Sequence, residues 1–248
     1  MATERLVTNT VPQLFNHLHV LVLGSSLVVY NIPKIILGPG KRMRLNATWY
    51  YIFFAAGFVM IVTAFWWMTM NVITVSIVLG AFAFAYSLPL LPFRNKKRLR
   101  EFGWLKIMVL ASVWTIATSI LPLLFLGKNT GDYPFEIVMR FAFIFTLCIV
   151  FDIRDMQSDL DNNINTLPHK VGIENSYRLI NFTLVIFVVL SILQHLRYPQ
   201  TGRLAGAILT SAITWLVVLY LKRRPSEKAY LLFADGVMLL YAVLILIP

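Results

Sequence analysis

A polytopic, all-α transmembrane helix bundle is the fold that this 248-residue chain predicts, and three observations carry the prediction. Residues of the AVILMFWYC set make up 58% of the chain, and the mean hydropathy is +0.74. Charged residues are 13% of the total, against roughly 25% in a soluble domain. They are also bunched between apolar runs long enough to span a bilayer, which needs about 17 to 25 residues per crossing. An ordinary soluble domain, a disordered chain and a coiled coil are thereby excluded. Lipid offers no hydrogen bonds to backbone N–H and C=O groups, so each run must be a helix.

Eight helices are expected, at about 14–37, 48–68, 71–90, 103–126, 134–152, 177–196, 203–221 and 229–247, in a single transmembrane domain over 1–248. The polar segment before the first has Arg5 as its only basic residue and reads as no secretory leader. His17 and His19, two apart in the first helix, point about 200° from each other and cannot chelate one ion. They read as helix-packing polar groups. Phe65-Trp66-Trp67 closes the second helix, and Trp114 lies in the fourth, both as interface anchors or packing residues. Cys148, the only cysteine, sits in the fifth run, which leaves no disulfide framework and no cysteine metal site. In the last helix Asp235 is an acid inside a span, with a functional and a structural reading equally open.

Net charge is +11, from 22 Lys and Arg against 11 Asp and Glu. Fourteen basic residues fall in alternate loops: Lys41 to Arg44 after the first helix, Arg94 to Arg100 after the third, Arg154 and Lys170 after the fifth, and Lys222 to Lys228 after the seventh. The other side has only Arg5, Lys128, Arg197 and Arg203. The positive-inside rule therefore places these four loops in the cytoplasm and both termini outside. The charge reads as topology and contact with membrane lipids, not as a nucleic-acid surface.

The longest polar stretch, 152–176, holds four of the six aspartates, Asp152, Asp155, Asp159 and Asp161, within ten residues. At about 100° per residue, Asp155 and Asp159 lie about 300° and 340° from Asp152, so these three share a face if the helix continues through Asp159. Asp161 points away. Three carboxylates on one face repel unless a cation sits among them, and hard oxygen ligands favour Mg²⁺. Magnesium shares phosphate oxygens readily, so the cluster at the edge of an apolar bundle suggests a diphosphate with a lipid tail. A solvated helix end is the plainer reading, although acids at a helix C-terminus are disfavoured by the dipole. His169 in the same stretch reads as a solvated loop histidine or a proton carrier.

The segment FDIRDMQSDLDNNINTLPHKVG, 151–172, resembles the second aspartate-rich motif of the UbiA superfamily of intramembrane prenyltransferases, D-x-x-D-x-x-x-D followed by T-L-P and a glycine. The resemblance implies an all-helical bundle that uses Mg²⁺ to hold a prenyl diphosphate and transfers the prenyl group to an aromatic or other lipophilic acceptor. It makes Asp152, Asp155 and Asp159 the Mg²⁺–diphosphate ligands, with Arg154 a further candidate inside the motif. The stretch AYSLPLLPFRNKKRLREFGWLK, 85–106, is similar to the family loop whose Tyr and Lys or Arg hold the diphosphate, which implies roles for Tyr86, Arg94 and Lys106. Snorkelling of Lys106 towards the interface is the alternative.

Two departures stand against the resemblance. The family's first motif, N-D-x-x-D-x-x-x-D, corresponds to Val29-Tyr30-Asn31-Ile32-Pro33-Lys34-Ile35, where Asn31 is kept but no aspartate follows; no Asp or Glu occurs between Glu4 and Glu101. Lys34 is the candidate substitute, an ammonium neutralising phosphate oxygens as a point charge, or a snorkelling lysine. The helix count also implies that one N-terminal family helix is missing. The expected function is Mg²⁺-dependent prenyl transfer. The alternatives are a non-catalytic relative that binds a prenyl or lipid diphosphate and, more distantly, a transporter built on Asp235. The bacterial inner membrane is the expected location.

Overall fold

In the computed structural model, residues 2–8, 16–37, 47–88, 103–161 and 164–244 are described, and among them every regular element is helical. In chain order these are α1 (Ala2–Thr8), α2 (His17–Leu37), α3 (Ala47–Phe65), α4 (Met70–Ser87), α5 (Trp104–Phe125), α6 (Pro134–Asp161), α7 (Leu167–Val171), α8 (Ile173–Arg197), α9 (Thr201–Arg223) and α10 (Asp235–Leu244). Seven of them, α2 to α6, α8 and α9, are long and apolar enough to cross a membrane, and a shorter apolar helix runs over Leu232–Leu244. The expected bundle of about eight helices is therefore present.

Three departures from the sequence reading bear on the buried charges. The polar N-terminus forms α1, whose Thr3 and Glu4 are buried. Helix α6 runs nine residues past the expected end at 152, to Asp161, and α8 starts at Ile173 instead of 177. The long polar stretch is thus mostly helix, because its carboxylates find cationic partners within the fold, as described below.

Helix α6 is the axis of the molecule. It packs on α5 and α8, α9 joins α8 to α10, and α2 packs chiefly on α3. Phe143, Ile149, Ile180 and Phe187 are fully buried along the α6–α8 seam. Several hydroxyls inside the bundle bond to carbonyls one turn back, as Thr146 does to Ala142 and Thr210 to Gly206, which satisfies these donors within their own helices. Thr146 and Thr183 also bridge α6 and α8 at 2.7 Å. In α5 the hydrogen bonding widens to a π turn over Ile116–Ile120, which accommodates Pro122, a residue with no N–H of its own to give. At the α2–α3 crossing Gly24 meets Gly57 so closely that a Cβ on either would lie within 2.8 Å of the other's carbonyl oxygen.

At the end of the bundle near the start of α6, Glu136 is fully buried and ties five elements together. Its Oε1 accepts from Arg140 at 2.7 Å and Thr3 at 2.9 Å; its Oε2 accepts from Arg203 at 2.8 Å and Gln194 at 3.1 Å. Arg140 also stacks over Tyr241 of α10, 5.0 Å from the ring centroid. Sequence reasoning counts Arg203 as loop charge and gives Glu136 no role. The side chain of Asp235 lies outside the described residues.

Glu136→Ala deprives two buried guanidiniums of their shared carboxylate and is expected to cost about 3–5 kcal/mol. Lys222→Ala, at the exposed pair with Glu174, should cost about 0–1 kcal/mol. Thermal or denaturant unfolding of both variants in detergent measures the difference, and equal losses would contradict this account of the buried network.

Candidate functional site

The opposite end of α6 carries the aspartate cluster, and the antiparallel neighbour α5 begins beside it. The positive dipole end of α5 therefore lies near the carboxylates that crowd the C-terminal turns of α6 and offsets the unfavourable dipole of their own helix. Gly103 makes this start possible. It takes a positive φ of 46°, and a Cβ on it would collide with the carbonyl of Asn165, so the segment after the cluster rests directly on the first turn of α5. Three residues later, Lys106 points back at α6.

Lys106 Nζ lies 2.9 Å from Asp152 Oδ1 and 2.9 Å from Asp159 Oδ2. The protein's own ammonium thus sits between two of the carboxylates. Lysine and both aspartates are largely shielded, with side-chain exposures of 14%, 3% and 14%. The second oxygen of Asp152, Oδ2, is buried without a hydrogen-bond partner. Asp155 is the most open of the three, at 37%, and Arg154 holds it with Nε and Nη2 at 2.6 and 2.9 Å while stacking over Phe151. Hence the structure joins Asp152, Asp159 and Lys106 in one group and Asp155 with Arg154 in another. Among the described residues, no three His, Cys, Asp or Glu side chains converge as a ready-made metal site.

The Thr-Leu-Pro segment after the cluster serves the same packing. Thr166 is fully buried, stands at the N-cap position of α7 and bonds His169 Nδ1 at 2.9 Å, while Pro168 takes a first-turn position that needs no N–H. His169 Nε2 is buried and unpartnered, so this histidine is not the freely solvated loop residue of the plainer expectation. Gly172, at φ 84°, turns the chain from α7 into α8.

The remaining candidates belong to the other half of the bundle. Asn31 is buried and donates to Leu27 O at 2.7 Å, within its own helix. Lys34 lies over the Tyr50 ring at 5.2 Å. Tyr86 lines a partly open cavity of about 410 Å³ between α2, α4 and α5. Leu21, Val29, Leu79, Ala83 and Val113 give that cavity an apolar wall, and Val109 and Leu110, one turn beyond Lys106, line its side on α5. Trp114 belongs to the same wall, whereas Trp66 is 86% exposed and Trp67 stacks on His17. His19 pairs with Glu4 at 3.1 Å. Arg94 lies outside the described residues.

Sequence reasoning missed that Lys106 would complete the aspartate group. The available signal was a lone lysine in the first turn of the span that antiparallel packing sets beside the acidic end of the next.

The model of the UbiA prenyltransferase family matches residues 39–243. A digeranylgeranylglyceryl phosphate synthase of Sulfurisphaera tokodaii is 30% identical over 109 residues, which is 42% of this chain and 39% of that protein, so the match spans well under half of the relative's length. A UbiA homologue from Archaeoglobus fulgidus bound to Cd²⁺ superposes with a TM-score of 0.66 at 13% identity, over 92% of this chain and 84% of its own. A UbiA homologue from Aeropyrum pernix K1 in its apo form gives 0.62 at 15% identity, over 98% and 94%. At such identities the structural likeness establishes a common fold.

Gly103→Ala introduces a Cβ at positive φ against a backbone carbonyl and is expected to cost about 1–3 kcal/mol. Gly80→Ala, whose Cβ would meet nothing within 4 Å, should leave the unfolding temperature nearly unchanged. A thermal scan of the two variants decides whether the contact between Gly103 and Asn165 organises this end of the bundle.

Proposed function

Since the chain belongs to the UbiA prenyltransferase family, we propose that this integral membrane protein transfers a prenyl group from a prenyl diphosphate to a lipophilic acceptor, with the diphosphate held at the Lys106–Asp152–Asp159 group. The observation that carries the reading is the adjacency of two chemically different compartments. One is a shielded cluster of carboxylates and cations on α5 and α6; the other is an apolar cavity that begins one turn along α5. A diphosphate ester of an isoprenoid alcohol has the same two parts.

The donor set suits Mg²⁺, which takes one or two carboxylates and completes its shell with water and phosphate oxygens. Asp152, through its unpartnered Oδ2, and Asp159 would hold the ion, with Asp155, forked by Arg154, beside them. When bound, the metal supplies positive charge against the departing diphosphate. The chain's own residues do the rest. Lys106 donates to phosphate oxygens and stabilises the charge that develops as the allylic C–O bond breaks. Arg94, Arg154 and Lys34 are the further cations proposed for diphosphate binding, with Asn31 and Tyr86 as polar contacts around it. The walls formed by Leu79, Ala83 and Val113 exclude water from the allylic cation until an acceptor takes it. The proposed orientation keeps this site cytoplasmic, in a bacterial inner membrane.

A product of the class named by the Sulfurisphaera relative, a glyceryl phosphate carrying isoprenoid chains, gives one acceptor class to test beside aromatic ones. The acid-free stretch between Glu4 and Glu101 favours a second reading, binding of a prenyl diphosphate without catalysis.

Membranes containing the protein are expected to release diphosphate from a labelled prenyl diphosphate in the presence of Mg²⁺, and Asp152→Asn should lower the rate about 10²–10³-fold. Retained binding with no release over a panel of acceptors would replace catalysis by the second reading. Gly80 faces open space in the cavity wall, so Gly80→Phe should shift the preferred prenyl diphosphate to shorter chains without loss of fold. An unchanged preference would remove the cavity from the substrate path.

A further inference from the structure

We propose that Lys106 is an internal counter-ion that keeps the Asp152–Asp159 pair closed to a divalent metal until a diphosphate draws its ammonium away, so that metal and diphosphate bind as a coupled pair. The inference rests on the preceding reading of the site and adds an order of events to it.

The geometry points to competition for the same oxygens. The ammonium lies at 2.9 Å from one oxygen of each aspartate and so occupies one coordinating oxygen of both carboxylates that would hold a metal. Arg154 holds both oxygens of Asp155 in a fork, so the third carboxylate is also engaged. The five ionised groups together leave a single net negative charge. A divalent ion arriving alone finds Asp152 Oδ2 without a hydrogen-bond partner, but gains the two oxygens that Lys106 holds only by displacing it. That would leave an ammonium with 14% exposure and no anion, an unfavourable state in a shielded site.

A diphosphate removes the obstacle. Its oxygens accept from the lysine, whose flexible four-carbon stem lets Nζ move without moving α5. Asp152 and Asp159 are then free to turn to a metal that also touches the phosphates. Each ligand raises the affinity for the other by the same factor, as linkage requires. Lys106 is therefore both a phosphate contact and the residue that prevents the site from filling with metal alone.

Mn²⁺ serves as the probe, with binding to purified protein in detergent read by the loss of the free-ion electron paramagnetic resonance signal. Without any diphosphate, Lys106→Met is expected to bind Mn²⁺ about tenfold more tightly than the wild type, while Lys106→Arg, which keeps a cation between the carboxylates, stays as weak as the wild type. Adding Asp152→Asn to Lys106→Met should abolish the gain. Thermal unfolding supplies a second readout and checks that each variant folds. Mg²⁺ alone should stabilise Lys106→Met, whereas the wild type should need Mg²⁺ and inorganic pyrophosphate together. Equal Mn²⁺ affinity in the wild type and Lys106→Met, lost from both on Asp152→Asn, would overturn the counter-ion role and leave the metal site standing. Mn²⁺ binding indifferent to Asp152→Asn would overturn the metal reading with it.

Discussion

Hydrocarbon cannot solvate an ion, and that constraint shapes both ends of this bundle. Every charge drawn inside must be neutralised by another part of the same chain, which forces helices distant in sequence into fixed contact. Helix α6 carries buried acids near both of its ends, Glu136 at one and Asp152 at the other, and each draws a cation from a neighbouring helix, Arg203 of α9 and Lys106 of α5. The apolar seams with α5 and α8 fill the space between two electrostatic anchors. Register along α6 follows from the anchors, since a helix pinned at both ends has little freedom to slide.

The two anchors are built differently, and the difference separates a saturated group from one with capacity left for a ligand. Both oxygens of Glu136 are saturated by four donors from four elements. Such a group holds its geometry and offers little to a ligand. At the other end one oxygen of Asp152 is left over, Asp155 is partly exposed, and the cation is a lysine rather than an arginine. An ammonium on a flexible stem leaves its partners more readily than a planar guanidinium held at two points. Stability is therefore concentrated where α1, α8, α9 and α10 meet, and exchangeable contacts where α5 meets the end of α6.

Hydropathy made the spans legible, because the length a bilayer requires is a coarse quantity that composition reports directly. The common face of Asp152 and Asp159 was equally legible from helical spacing. Less visible was the extent of α6, since a run of acids and amides reads as loop unless its charge is known to be neutralised. That knowledge resides in Lys106, 46 residues upstream of Asp152, and in the turn at Gly103 that aims it. Glu136 escaped for a related reason. An acid three residues into a span looks interfacial, and only the fold shows that Thr3, Arg140, Gln194 and Arg203 close over it. Pairings between helices are tertiary facts that one-dimensional patterns do not carry.

The distribution of acids gives the bundle an electrostatic direction. No carboxylate occurs between Glu4 and Glu101, so the half made by α2, α3 and α4 presents its cavity wall and Lys34 without any anion to attract a metal. The half made by α5 and α6 holds the carboxylates together with two cations. On the proposed reading, a diphosphate lying between the halves meets ammonium and polar groups on one side and a metal-competent edge on the other. One acidic edge suffices only if lysine supplies the rest of the positive charge. On that reading the bridging position of Lys106 bears on catalysis as well as on folding: the group that lets α6 carry its aspartates is also the one that releases them when phosphate arrives.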